Sequence, residues 1–196
     1  ETVSSINDEM YRKITENRTV EEAEAKATAK VVALSAVKYG DLSNQASKDY
    51  IFDIDRFTSF EGNTGPYILY TIVRIKSILN KYKEAGKEAG TAAILPAHSE
   101  SEKALMLELT RFNAMMENAY EETAPHKVCS YIYDLANALN HFYHETKILS
   151  EEDLKVQASY IGLLVLTKNI LETCIDVLGF SAPDLSLIHI SEPTRH

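Results

Sequence analysis

The sequence contains few residues that interrupt helices and no long apolar run. Its 196 residues include only 7 glycines and 5 prolines, a composition that favours helices. No uninterrupted apolar stretch approaches the roughly 20 residues of a membrane-spanning helix, so we expect no membrane partner. The N-terminus is acidic and polar and lacks the basic, apolar and small-residue pattern of a signal peptide. These absences predict one soluble domain, with or without an appendage.

Cysteine is scarce, and its placement excludes the common cysteine motifs. Cys129 and Cys174 are far apart and neither belongs to a Cys-x-x-Cys pattern. Cys129 follows His126 by three residues, but that spacing alone is a weak signal of a nucleophile. The two cysteines therefore predict reduced thiols in the core of a cytoplasmic protein.

Positive charge is in deficit, with 20 Lys and Arg against 29 Asp and Glu and a formal net charge of −9. This balance argues against general affinity for nucleic acid, DNA included, because non-specific binding depends on neutralising phosphates. One stretch differs, because only Glu84 opposes five basic residues there: Arg74, Lys76, Lys81, Lys83 and Lys87. Such a patch fits selective contact with an RNA, or a solvated helix end where cations are favoured. On charge alone we favour the helix end.

Apolar periodicity and capping residues predict an all-α fold, a bundle of five or six helices. Capping signals are expected at residues 19–22, 99–102 and 150–153, and C-terminal breakers at Gly40 and Gly179. Residues 50–57 alternate apolar and acidic side chains, which indicates a short strand or an extended segment packing its aromatic rings. The predicted helices cover residues 3–17, 23–39, 67–82 and 104–120, one that begins at Pro125, and a last one that runs from the 150–153 cap to 178.

The helix predicted after Pro66 has two faces of different character. Pro66 suits the first helical position, and an apolar stripe recurs every three or four residues at Ile68, Ile72, Ile75 and Leu79. On nearly the opposite side, the same kind of spacing places Tyr67, Tyr70, Arg74, Ser77 and Lys81. Phenols and cations on one face can stack on bases and pair with phosphates. The alternative is that the tyrosines pack at the rim of the core and the arginine is solvated.

Three other patterns are weaker candidates for chemistry. Asp53 and Asp55 fit a cation site or an acid–base pair, but loop and cap use is favoured. The trio His141, His144 and Glu145 is helically spaced and resembles a zinc set only loosely; surface histidines are favoured. Residues 62–65 (Gly-Asn-Thr-Gly) resemble a phosphate cradle but lack the lysine and hydroxyl of a P-loop. We interpret them as a turn that places Tyr67.

Five segments, in order along the chain, resemble the C-terminal part of the arginyl-tRNA synthetases, which are class I aminoacyl-tRNA synthetases. The resemblance covers roughly 150 residues, and five ordered matches are more specific than any one short motif. The segments are 36–43 (AVKYGDLS), 50–55 (YIFDID), 59–78 (SFEGNTGPYILYTIVRIKSI), 131–136 (YIYDLA) with Phe142 and Tyr143, and 178–183 (LGFSAP).

The resemblance implies an all-α anticodon-binding domain of the DALR type over residues 65–184. Residues 1–64 would connect it to a catalytic domain, and 185–196 would be a non-native tail, with a real disordered tail as the alternative. The implied partner is the anticodon loop of arginine tRNA. The implied contact residues are Tyr67, Tyr70 and Arg74, with Lys76 or Lys81 on the backbone, and Tyr131 and Tyr143 as weaker candidates.

Two departures from the family pattern bear on function. Residues 184–186 (Asp-Leu-Ser) replace the usual ending, whose terminal Met contributes to the anticodon pocket. The HIGH and KMSKS signatures that hold ATP are absent. We therefore expect a fragment that needs no cofactor and is inactive alone, whose parent ligase uses ATP and Mg²⁺ to join arginine to its tRNA. The alternative is a helical protein-interaction module that binds no RNA.

Overall fold

Four long helices form the centre of the fold: α2 (Glu22–Leu42), α4 (Gly65–Glu84), α7 (Pro125–Glu145) and α8 (Leu154–Val177). The computed structural model describes residues 2–16, 21–90 and 92–183. Within these ranges it is helical and contains no strand, which confirms the all-α prediction. The shorter elements are α1 (Thr2–Thr15), the one-turn α3 (Ile54–Phe57), α5 (Glu100–Thr110), α6 (Phe112–Glu121) and a 3₁₀ turn at Ile148–Ser150.

Two of the predicted caps are confirmed by their hydrogen bonds. The Ser99 hydroxyl accepts a bond of 3.1 Å from the backbone N–H of Glu102, which starts α5. The Asp153 carboxylate accepts bonds from the N–H groups of Lys155 and Val156, which starts α8. Gly179 follows α8 with a φ of +83°, as a C-terminal breaker should. The capping signal at 19–22 falls partly outside the described residues, and Glu21 caps α2 without a side-chain bond.

Two local predictions were wrong in detail. Gly40 does not end α2, because it lies inside that helix, where a Cβ would be 3.0 Å from the Phe57 ring. The helix expected over 104–120 is two helices that meet at Arg111, a bend that brings Phe112 within 6.4 Å of the Tyr131 ring. Residues 50–53 form no strand and lead into the single turn of α3, and the rings of Phe52 and Phe57 lie 4.6 Å apart, as expected of a segment that packs its aromatic rings.

One continuous hydrophobic core joins the helices. It runs from Ile6 on α1 to Phe180 just after α8, with α1 packed on α2 and with α5 and α6 packed on α7. Residues on both sides of position 64 therefore share a core, and the division into 1–64 and 65–184 stays a prediction. The expected tail at 185–196, with residue 184, lies outside the described residues.

The last helix, α8, has the predicted extent and is the most apolar of the long helices. By length and composition alone, α8 is able to cross a membrane. More than half of its apolar stretch is buried inside the bundle, as in the core helix of a protein without a membrane span. Helix length and composition are therefore weak grounds for a membrane role.

Candidate nucleic-acid interface

The turn before α4 fixes where the helix begins. The Thr64 hydroxyl accepts a 3.1 Å bond from the Tyr67 N–H and donates a 2.6 Å bond to the Ser59 carbonyl. Pro66 occupies the first turn of α4. The first residues, Thr64 to Pro66, are buried, so this helix N-terminus does not face a ligand. The interpretation of residues 62–65 as a positioning turn is therefore supported over a phosphate cradle.

Gly65 lets the start of α4 lie directly against α2. A Cβ at this position would overlap the carbonyl oxygen of Ser35 and lie 3.1 Å from the backbone nitrogen of Ala36. Both neighbouring atoms belong to the backbone, so no side-chain movement relieves the contact. Only glycine fits here, and the requirement comes from close approach of two helices.

Arg74 lies at the centre of an aromatic cluster between α4 and α7. Its guanidinium carbon is 4.6 Å from the centroid of the Tyr70 ring and 4.7 Å from that of Tyr143. One terminal nitrogen donates to the Tyr70 hydroxyl and the other donates a 2.7 Å bond to Oδ1 of Asn140. The guanidinium is thus held between two rings and aimed by two hydrogen bonds. We call Tyr67, Tyr70, Arg74, Asn140 and Tyr143 the Arg74 cluster.

Asn140 connects the residues of this cluster on α4. Its amide nitrogen donates 3.0 Å bonds to the hydroxyls of Tyr67 and Thr71, while its oxygen accepts from Arg74. The side chain is only 8% exposed, so these bonds do not compete with bulk water. The Tyr67 hydroxyl also donates a 2.7 Å bond to Asn137, and its ring meets that of Tyr133 edge-on at 5.9 Å.

The cluster carries a positive charge that no carboxylate neutralises. Among the described residues, Arg74 is bonded only to Asn140 and Tyr70, and it forms no ion pair with Asp or Glu. Burial raises the pKa of the Tyr67 phenol, although the bond from Asn140 and the charge of Arg74 oppose that rise. Tyr67 therefore stays a neutral hydrogen-bond donor at physiological pH. A half-buried cation flanked by aromatic rings suits an anion joined to a flat ring.

The structure brings together four of the predicted site residues and separates three others. Tyr67, Tyr70, Arg74 and Tyr143 belong to the Arg74 cluster. Lys81 is exposed, and seven residues after Arg74 it lies about two turns along the same side of α4.

Lys76 and Tyr131 lie elsewhere. Lys76 projects about 200° around the helix axis from Arg74 and pairs with Glu172 on α8 at 3.1 Å. Tyr131 is only 1% exposed and donates a 2.9 Å bond to the Glu108 carbonyl on α5. Its ring is core and is not available to a base.

Sequence reasoning missed three residues on α7 that complete the site: Tyr133, Asn137 and Asn140. They recur at intervals of four and three residues, the spacing of one helix face. That polar stripe was a usable signal. The partners of Asn140 were not, because they are 66 to 73 residues away in the sequence.

The weaker candidates take structural roles. Asp53 caps α3 by accepting from the Arg56 N–H, and His141 pairs with Glu145 at 3.5 Å. Within the described ranges, no three His, Cys, Asp or Glu side chains come together as a metal site. Cys129 and Cys174 are buried free thiols, as predicted, and burial raises the pKa of each to about 12.

Comparison with curated proteins identifies close relatives that are about three times longer. The chain is 67% identical over 190 residues to an arginine–tRNA ligase of Agathobacter rectalis, covering 93% of this chain and 32% of that protein. It is 51% identical over 182 residues to the arginine–tRNA ligase of Alkaliphilus oremlandii, covering 93% and 31%. The chain therefore spans about a third of the length of these relatives.

Two solved structures share the fold. An arginyl-tRNA synthetase of Thermus thermophilus matches with a TM-score of 0.82 and 29% identity, over 92% of this chain and 31% of that one. The arginyl-tRNA synthetase of Plasmodium falciparum matches with a TM-score of 0.78 and 26% identity, over 93% and 32%. The model of the DALR anticodon binding domain matches residues 68–185. This chain belongs to the DALR anticodon-binding domain family.

Proposed function

We propose that this chain recognises the anticodon loop of arginine tRNA as the C-terminal part of an arginine–tRNA ligase. The observation that carries the proposal is the Arg74 cluster, an unneutralised guanidinium held between Tyr70 and Tyr143. Membership of the anticodon-binding family and the arginine–tRNA ligase relatives support it.

The chemistry of the cluster suits a single-stranded loop. RNA sequence is read mainly where bases are unstacked and can lie against aromatic rings. Tyr67, Tyr70 and Tyr143 are each half-buried, so part of each ring stays open to solvent while the rest is fixed by packing. A base would stack on the exposed part, and Arg74 would pair with an adjacent phosphate or base edge. Lys81, exposed further along the same side, would hold the backbone.

Pre-organisation is what α7 contributes to this recognition. Asn140 fixes both the Tyr67 hydroxyl and the Arg74 guanidinium before any RNA arrives. Ordering a long side chain on binding costs roughly 0.5–1.5 kcal/mol, and residues already held in place avoid most of that cost. A few stacking contacts can therefore discriminate between anticodons.

The remaining activity of the parent enzyme is part of the same proposal. The full-length enzyme would act in the cytoplasm and use ATP and Mg²⁺ to join arginine to its tRNA, in a catalytic domain of the same chain. No catalytic step is assigned to the described residues. The chain alone should give no ATP–pyrophosphate exchange.

The test is tRNA binding by a Tyr70→Ala variant. Removing one stacking ring should weaken binding of arginine tRNA by roughly 1–3 kcal/mol, measured by filter binding or fluorescence anisotropy. Tyr120→Ala is the matched control, because Tyr120 is 85% exposed on α6 and outside the Arg74 cluster. The control should bind arginine tRNA as tightly as the chain without a substitution.

Discrimination between anticodons separates RNA recognition from the alternative function. The parent chain should bind arginine tRNA more tightly than the same tRNA with an altered anticodon, and Tyr70→Ala should reduce that difference. Equal binding of the two tRNAs by the parent chain would contradict anticodon recognition and favour a helical protein-interaction module.

A further inference from the structure

A second positively charged surface lies on the other side of α4. It is a groove of about 740 Å³ between α4, α8 and the segment that follows α4. Leu79 and Ala89 also line it, and its only acidic lining residue among the described parts of the chain is Glu88. Four lysines from three different elements line it: Lys76, Lys83, Lys87 and Lys168. We call this surface the lysine groove.

Three of the lysines have polar partners, and the fourth is exposed. Lys76 and Lys168 each pair with one oxygen of Glu172, at 3.1 and 3.3 Å. Lys87 donates a 2.5 Å bond to Gln157 and lies 5.4 Å above the Tyr82 ring. Lys83 is exposed, and no carboxylate in the described ranges pairs with it. Even with Glu84, Glu88 and Glu172 counted, the four lysines leave a surplus of one positive charge on a chain whose net charge is −9.

The groove and the Arg74 cluster cannot contact the same short stretch of a ligand. Lys83 follows Arg74 by nine residues, which places it about 14 Å along the axis and about 180° around it. A helix with its side chains is roughly 10–12 Å wide. A ligand that lies on the cluster therefore reaches the groove only through another segment.

We propose that the lysine groove binds the sugar–phosphate backbone of RNA, at a segment distinct from the one read by the Arg74 cluster. This inference rests on the proposed function for the choice of RNA. Lysine is a flexible point charge that takes phosphate without reading sequence. The apolar side chains of Leu79 and Ala89, which line the groove, offer a surface for a ribose or an unstacked base.

The charge pattern favours RNA over an acidic peptide. The four lysines come from α4, the segment after it and α8, and they line one groove, so a ligand that pairs with several of them must present more than one negative charge within a short distance. Successive phosphates around a nucleotide meet this requirement, whereas an extended acidic peptide presents its carboxylates along a line. An acidic peptide is kept as an outcome of the test.

The experiment uses hexauridylate, which carries phosphates without the arginine anticodon, and follows its binding at several salt concentrations. Lys83→Glu should weaken binding and reduce the magnitude of the slope of log K against log salt by about 0.7 for each phosphate that no longer pairs with a lysine. Lys30→Glu is the matched control, because Lys30 is exposed on α2 and the change in net charge is the same. The control should keep the parent slope.

Backbone amide shifts in NMR spectra locate the bound probe. Hexauridylate should shift the resonances of Lys83, Lys87 and Lys168, and Lys83→Glu should reduce those shifts. Equal slopes for the Lys83 and Lys30 variants would overturn the inference. So would hexaglutamate shifting these resonances when hexauridylate does not. Anticodon discrimination by the parent chain does not depend on either result, so the two proposals fail separately.

Discussion

The two sides of α4 hold positive charge in opposite ways. On the α7 side, one guanidinium is held between rings and bonded to neutral partners, without a carboxylate. On the α8 side, several ammonium groups surround a groove, and two of them share the carboxylate of Glu172. Fixed geometry suits selection between ligands, whereas a surplus of lysine point charges suits attraction of phosphate without selection. On the two proposals, one helix would carry both functions on separate faces.

The largest loss of stability is expected from a substitution at Gly65, where α4 begins. Gly65→Ala should lower the free energy of unfolding by about 3 kcal/mol, because the new methyl overlaps the α2 backbone. Tyr67, Tyr70 and Arg74 lie in the first half of α4 and should be displaced more than the lysine groove. Urea unfolding followed by circular dichroism measures the decrease.

Gly162→Ala is the matched control for that substitution. A Cβ at Gly162, inside α8, would meet Ile94 at an ordinary 3.6 Å. Alanine is the better helix former, so stability should stay equal or rise. A Gly65→Ala variant as stable as the Gly162→Ala variant would show that α2 and α4 are not held in contact.

An intermediate effect is expected when the α7 side loses its buried amide. Asn140→Leu keeps the volume and removes the bonds to Tyr67, Thr71 and Arg74. It should cost about 2 kcal/mol in unfolding free energy, because buried polar partners are left unsatisfied. It should also weaken tRNA binding while hexauridylate binding at the lysine groove persists.

Asn137→Leu is the control on the same helix face. Asn137 is exposed and bonds only the Tyr67 hydroxyl, so its replacement should change stability by less than about 0.5 kcal/mol. Equal destabilisation by the two substitutions would mean that Asn140 has no special place in holding the cluster.

The smallest effect concerns the core beneath each side. Cys129 lies on α7 and Cys174 on α8, and burial raises the pKa of each thiol from 9.0 to about 12. A raised pKa in the folded state stabilises the fold below pH 9, and this contribution is lost as pH rises from 9 towards 12. At pH 10 the decrease in stability should be roughly 1 kcal/mol for each thiol.

Single alanine variants measure the two thiols separately. Cys129→Ala and Cys174→Ala should each flatten the decline of unfolding free energy between pH 9 and 10 by a similar amount. Buried tyrosines contribute equally to all three proteins and cancel in the comparison. If the decrease in unfolding free energy were unchanged in both variants, neither thiol would be excluded from water in the folded state.

Local sequence signals predicted the start of α4 and its two faces, because those features depend on neighbours in the chain. The turn before Pro66 and the apolar stripe from Ile68 follow from residue type and spacing alone. The difference between Arg74 and Lys76 was also available, since two residues on a helix that are two positions apart point to nearly opposite sides. Grouping the two by charge alone obscured it.

Tertiary packing decided what the local signals could not. Gly40 resembled a helix end, but Phe57 packs against it and the helix continues. Arg111 has no local signal for a break, and the bend there comes from packing against α7. Asn140 is an ordinary amide in the sequence and becomes the centre of the site only because α4 lies beside it.

The contact at Gly65 also determines how motion passes through the molecule. With the backbone of α4 touching that of α2 at Ser35, there is no soft side chain between the two helices to absorb a displacement. We expect a displacement of α2 at Ser35 to move the first turn of α4, and Tyr67 with it. The two helices should therefore move together at Gly65.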